Sequence, residues 1–202
     1  MWLGRFLIWL LRPLVCLILR VRVEGKENIP LTPGTPPLVL CCNHISNWDP
    51  VVLEVITPRH IHFMAKAELF SNRLFSWFFG KQIGAFPVKR GTGDTGAIDM
   101  AQQLVADGKL MGIFPEGTRS KTGELLRPKS GTALIVSRTG AHVLPVAITT
   151  KHQKVRLFRP VTVTFGKPLS PEELRLTGDK PELRYGTRAL MDAIAALMEA
   201  SR

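Results

Sequence analysis

The apolar run Leu38-Val39-Leu40-Cys41-Cys42, closed at its front by Pro36-Pro37, most constrains what this chain can fold into. Uninterrupted apolar residues bounded by prolines read as a strand buried in a sheet. The stretch Asn43-His44-Ile45-Ser46-Asn47-Trp48-Asp49-Pro50 follows at once and leads into Val51-Val52-Leu53-Glu54-Val55-Ile56. Proline at a first helical position, with Asp49 as its cap, predicts a helix there. His44 therefore falls on a strand-to-helix turn, where side chains project from a rigid sheet edge into a cleft.

A neutral imidazole can take a proton from a hydroxyl near cellular pH. It needs a partner that fixes its tautomer and stabilises the imidazolium, and Asp49 can supply one. The sequence holds no serine in a Gly-x-Ser-x-Gly setting. A His-Asp pair without a protein nucleophile points to a hydroxyl on the substrate. The same residues also have a simpler reading, as a helix N-cap and a structural loop histidine, and their spacing alone does not decide between the two.

At 202 residues the chain is long enough for one domain with a real core. A 45% hydrophobic fraction with a mean hydropathy of +0.10 is high for a protein with no membrane association. The net charge of +11 calls for an anionic partner. The cations stand beside apolar runs, without a zinc-finger, basic-zipper or RNA-binding signature, so a membrane surface with anionic lipid is expected and nucleic acid is not. Cys16, Cys41 and Cys42 form no even disulfide framework and read as small hydrophobes in a reducing compartment.

Residues 2–19 are almost wholly apolar and would span about 27 Å as one helix. Arg5, Arg12 and Pro13 interrupt them. An arginine near mid-bilayer costs about 2.5–3.5 kcal/mol on insertion scales. Arg5, Arg12 and Arg20 fall on one side of a helical wheel, which suits an interfacial or re-entrant segment whose arginines reach lipid phosphates. A spanning anchor is the alternative. No small-residue cleavage site follows, which argues against a signal peptide. Residues 1–20 are thus expected to be a membrane-associated helical segment and residues 21–202 the main domain.

Further strands are predicted at Val21-Arg22-Val23, Ile61 to Ala65, Gly84 to Val88, Leu110 to Phe114, Val143 to Ile148 and Val161 to Phe165. Helices are predicted from Lys66 through an aromatic stripe (Phe70 to Phe79), at Ala97 to Asp107 before Gly108, at Gly131 to Thr139 before Gly140, and at Leu183 to Ala200. His60 and His62 share a strand face, but no Cys/His cluster accompanies them, so they read as structural and no metal site is expected. Lys89-Arg90 beside Gly91 suits a phosphate. Pro115-Glu116-Gly117-Thr118-Arg119-Ser120 closes a buried strand: Gly117 lets the backbone expose N–H groups, Thr118 and Ser120 add hydroxyls, and Arg119 offers a bidentate fork. Glu116 would repel a phosphate unless it pairs with Arg119, Lys129 or a substrate hydroxyl.

Asn43-His44 with Asp49, then Phe114-Pro115-Glu116-Gly117-Thr118-Arg119-Ser120, resembles the glycerophospholipid acyltransferase family. Gly84 to Arg90 looks like that family's second block, Val143-Leu144-Pro145-Val146 like its fourth, and Phe165-Gly166-Lys167-Pro168 like its closing strand and turn. Two departures stand out: Lys89 occupies a position that is often acidic, and a proline usual upstream of the fourth block is absent.

The resemblance implies an α/β fold with a mixed sheet flanked by helices and a membrane-seated N-terminal segment. It implies acyl transfer to the sn-2 hydroxyl of 1-acylglycerol 3-phosphate (lysophosphatidate), giving phosphatidic acid. His44 would be the base and Asp49 its partner. Arg90 and Arg119, with Lys66 as a third cation, would bind the acceptor phosphate, and Glu116, Gly117 and Thr118 would shape the acceptor site. The donor would be an acyl thioester of coenzyme A or acyl carrier protein, with no cofactor. The place of action would be the cytoplasmic face of the cell membrane, peripheral or monotopic. A different lysolipid acceptor is the near alternative, and a non-catalytic anionic-lipid binding protein the distant one.

Overall fold

The computed structural model describes residues 2–31, 36–73, 76–77, 80, 84–88, 95–151, 153–176 and 180–201. Seven strands form one sheet: β1 (Val21–Glu24), β2 (Leu38–Cys42), β3 (Ile61–Lys66), β4 (Phe86–Val88), β5 (Leu110–Ile113), β6 (His142–Thr149) and β7 (Val161–Phe165). Their spatial order is β1-β7-β6-β2-β5-β3-β4. Every neighbouring pair is parallel except β6 with β7, so the sheet is mixed, as expected from the sequence.

β2 lies at the middle of this order, and its alternating side chains feed two cores. Leu38, Leu40 and Cys42 face one core, where β6 contributes Leu144, Val146 and Ile148 and helix α2 (Asp49–Ile56) packs Val52, Leu53 and Ile56. Helix α1 (Trp2–Ile18) adds Ile8 and Val15 at the margin of the same core. Val39 and Cys41 face the other, which is covered by α3 (Thr95–Ala106), α4 (Gly131–Thr139) and α5 (Lys180–Ala200). Helices therefore cover both faces of the sheet, and a strand buried on both sides has no polar face to show, which explains the unbroken apolar run. Burial pushes the Cys41 and Cys42 thiols well above their ordinary range, so both remain inert packing groups.

The strand expectations are met within a residue or two at each end, as are the terminations of α3 before Gly108 and α4 before Gly140. Two expectations change. Asp49 is the first residue of α2 rather than its cap; Trp48 holds the cap position without a side-chain bond, because the Asp49 carboxylate turns back into the preceding loop. After β3 the chain makes a 3-10 turn (Ala67–Phe70) in place of the start of the aromatic helix, and much of that stripe lies outside the described residues. Arg12 is half-buried and lines a surface pocket together with Glu54, Arg59 and His60.

Among the described residues no helix is long and apolar enough to cross a membrane. α1 instead packs one face on the domain and leaves Trp9, Leu10, Leu14 and Leu17 exposed on the other. The membrane association of residues 1–20 stays an expectation at this point.

Gly112 in β5 connects the sheet to the loop above it. A Cβ there would sit 2.3 Å from Cε1 of Phe63 and 2.6 Å from Cγ2 of Ile61. Phe63 stacks on Phe114 with centroids 5.7 Å apart, and Phe114 stacks on His44 at 4.0 Å. Overpacking a filled core costs about 1–3 kcal/mol. Gly112→Ala should therefore lower unfolding stability by that amount in urea titrations and also disturb the His44 ring, which a shifted His44 imidazole resonance would report.

Candidate active site

β2, β5, β6 and β3 run in parallel, so their carboxyl ends share one edge of the sheet. His44 follows β2 at that edge, Phe114 to Ser120 follow β5, and Lys66 ends β3. Asn43 fixes the exit of β2: its Nδ2 donates to the Ile148 carbonyl at 2.9 Å and its Oδ1 accepts from the Ile148 N–H at 2.7 Å. This amide stands in for a ladder pair just where the strand stops.

His44 Nδ1 lies 2.8 Å from Asp49 Oδ2. The same oxygen accepts the backbone N–H groups of Ile45 and Ser46, both at 2.7 Å. Asp49 is 0% exposed, and its Oδ1 is buried without a partner among the described residues. A carboxylate that accepts from the backbone can only accept from the ring as well, so His44 carries its proton on Nδ1. Nε2 is then the unprotonated nitrogen, with no hydrogen bond to any described residue. Phe114 lies nearly parallel under the ring, at 18°, and blocks one face of it. The arrangement is that of an oriented general base.

Glu116 contacts neither Arg119 nor Lys129. It is 1% exposed, and its Oε1 accepts the His44 N–H at 2.8 Å while its Oε2 accepts the Leu126 N–H at 3.0 Å. Burial raises its proton affinity, and the two backbone donors partly offset that. The carboxylate that seemed out of place among phosphate-binding groups thus accepts from the backbone of the turn that carries His44 and from Leu126. Ser120 closes the loop from the other side, its N–H donating to the His44 carbonyl at 2.8 Å and its Oγ accepting from the Gly123 N–H at 3.0 Å.

The remaining site candidates divide by position. Gly117 adopts φ 68, and a Cβ there would meet Lys129 Cγ at 3.0 Å, so the turn needs glycine. Thr118 and Arg119 are exposed on that turn, near His44 through Ser120. Lys66 lies at the right edge, although only its backbone is described, and Arg90 lies outside the described residues. His60 pairs with Glu54 and stands edge-on to His62, and no group of three or more metal-ligating side chains occurs among the described residues. The sequence reading missed the locking roles of Asn43 and Ser120, whose only signal was polarity beside a buried strand end.

A model of the acyltransferase family matches residues 20–149. The 1-acyl-sn-glycerol-3-phosphate acyltransferase of Bacillus subtilis is 35% identical over 181 residues, covering 88% of this chain and 87% of that protein. The lyso-ornithine lipid O-acyltransferase of Pseudomonas aeruginosa is 33% identical over 73% of this chain and 54% of its own length. The crystal structure of the 1-acyl-sn-glycerophosphate acyltransferase PlsC from Thermotoga maritima superposes with a TM-score of 0.69 at 26% identity, covering 89% of this chain and 71% of that one. The chain belongs to the acyltransferase family. Within it, the resemblance runs to enzymes of the 1-acyl-sn-glycerol-3-phosphate type.

Glu116→Gln tests the backbone role of this carboxylate. An amide nitrogen cannot accept from an N–H, so one of the two turns loses its bond and leaves a buried donor unpaired, at a cost of about 1–3 kcal/mol. The expected result is lower unfolding stability and a fall in kcat, with acceptor KM little changed. A rise in acceptor KM alone would instead place Glu116 in contact with substrate.

Proposed function

We propose that this enzyme transfers a fatty acyl group from an acyl thioester to the sn-2 hydroxyl of 1-acylglycerol 3-phosphate. The observation that carries the reading is the buried His44–Asp49 pair, with Nε2 free of any hydrogen bond to a protein hydroxyl or thiol among the described residues. Nε2 takes the hydroxyl proton, the oxygen attacks the thioester carbonyl, and the tetrahedral species collapses with cleavage of the C–S bond. The departing thiolate recovers the proton from the imidazolium, so the base is restored without an acyl-enzyme. Arg119, exposed on the turn fixed by Gly117, is suited to the acceptor phosphate, with Arg90 and Lys66 as its partners.

A second reading, a lysolipid acceptor without a phosphomonoester, is favoured by the likeness to the lyso-ornithine lipid enzyme. A panel of acceptors separates the two. Thioester consumption with lysophosphatidate supports the first reading, and its absence beside turnover of another lysolipid supports the second. His44→Ala should lower turnover by about 10²–10⁴-fold or more while the protein stays folded. Asp49→Asn should be similarly severe, because the ring can then carry its proton on the wrong nitrogen. Near wild-type turnover in either variant would overturn the mechanism.

The proposed place of action is the cytoplasmic face of the cell membrane, held there peripherally or monotopically. The exposed apolar face of α1, where Leu17 is 74% and Trp9 68% exposed, supports this, as does the net charge of +11. Inserting such side chains is worth about 1.5–3 kcal/mol each. Leu10→Glu with Leu17→Glu should abolish sedimentation with anionic vesicles and activity on long-chain acceptor in bilayers. Activity on a short-chain, water-soluble acceptor should persist. Vesicle binding equal to wild type would remove α1 from the membrane contact.

A further inference from the structure

A cavity of about 680 Å³ opens at the edge of the sheet that carries His44, on the β6 side of β2. β7 runs antiparallel to β6, and β1 parallel to β7, so the starts of β1 and β7 meet the end of β6 there. Three cations converge as a result: Arg22 on β1, Lys151 just after β6, and Arg159 just before β7. No acidic side chain lines the cavity, and none of the three cations forms a salt bridge among the described residues. Thr149, Thr150 and Ser201 add hydroxyls to the same wall.

The wall nearest the base is Ile45, the residue after His44, together with Gly123. Gly123 is tied through Ser120 to the His44 carbonyl, so this wall and the catalytic turn are one hydrogen-bonded unit. On the other side of β2 stands Lys66 at the end of β3, and Arg119, after β5, is not among the residues that line the cavity. Acyl transfer brings two substrates to one nitrogen, and the sheet order leaves a cationic approach on each side of it.

We propose that this cavity is the donor site, and that Arg22, Lys151 and Arg159 bind the phosphate of a phosphopantetheine arm whose thioester passes Ile45 to reach His44. The assignment rests on the acyl-transfer reading above. The phosphate-bearing arm is common to coenzyme A and to the prosthetic group of acyl carrier protein. Unpaired cations in a concave wall free of carboxylates focus potential on such an anion.

The test is steady-state kinetics of the intact protein with palmitoyl-coenzyme A and, separately, palmitoyl-acyl carrier protein. Arg22→Ala, Lys151→Ala and Arg159→Ala should each raise donor KM about tenfold or more, and Arg159→Glu further, with acceptor KM unchanged. Arg159→Lys should recover part of the loss, and thermal unfolding should show each variant folded. An effect with one donor alone identifies which carrier uses the cavity. A rise in acceptor KM instead would give the cavity to the acceptor phosphate and overturn the assignment, as would unchanged KM for both substrates. If the wild-type protein consumes no thioester with any acceptor, the acyl-transfer reading fails on its own. Equilibrium titration with coenzyme A then decides the cavity: binding weakened in Arg159→Glu upholds an arm-binding site, and absence of binding, or binding equal in both proteins, overturns it.

Discussion

The turn after β2 is a buried loop, and the structure depends on how its backbone is satisfied. A buried N–H group without a partner costs about as much as a lost hydrogen bond, so a loop can enter the interior only if side chains supply acceptors. Asp49 takes the N–H groups of Ile45 and Ser46, Glu116 takes that of His44, and Ser120 donates its own N–H to the His44 carbonyl. Two carboxylates distant in sequence thus fold the turn from opposite sides. Both are nearly inaccessible to water, at 0% and 1% exposure, and their orientation leaves the imidazole with one nitrogen bound and one available. The structural and chemical requirements of the turn are met by the same atoms.

The sheet order then decides what can approach. With β2 central, the chain leaves the C-terminal edge at β5 and β3 on one side of His44 and at β6 on the other. The antiparallel step from β6 to β7 matters here, since β7 and β1 both start at that edge and run back from it. A wholly parallel arrangement would place the starts of those strands at the opposite edge. Arg22 and Arg159 would then be remote from the base. The mixed topology, which looks like an irregularity at the margin of the sheet, is what brings Arg22 and Arg159 to the β6–β7 flank of that edge.

Most of this fold was legible in the sequence because its strands are short apolar runs bounded by proline, glycine and polar turns. The His44–Asp49 pair was legible as well, through its place between a strand and a proline-started helix. What failed to show were contacts between residues far apart. Glu116 invited pairing with a nearby cation, yet its partners are backbone groups at positions 44 and 126, which have no side-chain signature. Asp49 read as a helix cap because local rules reward that position, whereas the buried turn behind it offers a stronger demand for an acceptor. The cations of the β6–β7 flank are scattered from position 22 to 159 and have no spacing to recognise.

These corrections alter the electrostatics of the site more than its geometry. Read from sequence, Glu116 puts a negative charge among groups meant to hold phosphates. In the structure each carboxylate faces inward and is screened by backbone donors and, for Asp49, by the imidazole. Neither therefore presents an oxygen to an incoming anion. Arg119 remains exposed and forms no ion pair among the described residues. A net charge of +11 can thus act on anionic ligands at this edge, since the acidic residues closest to the base have already been turned toward the protein.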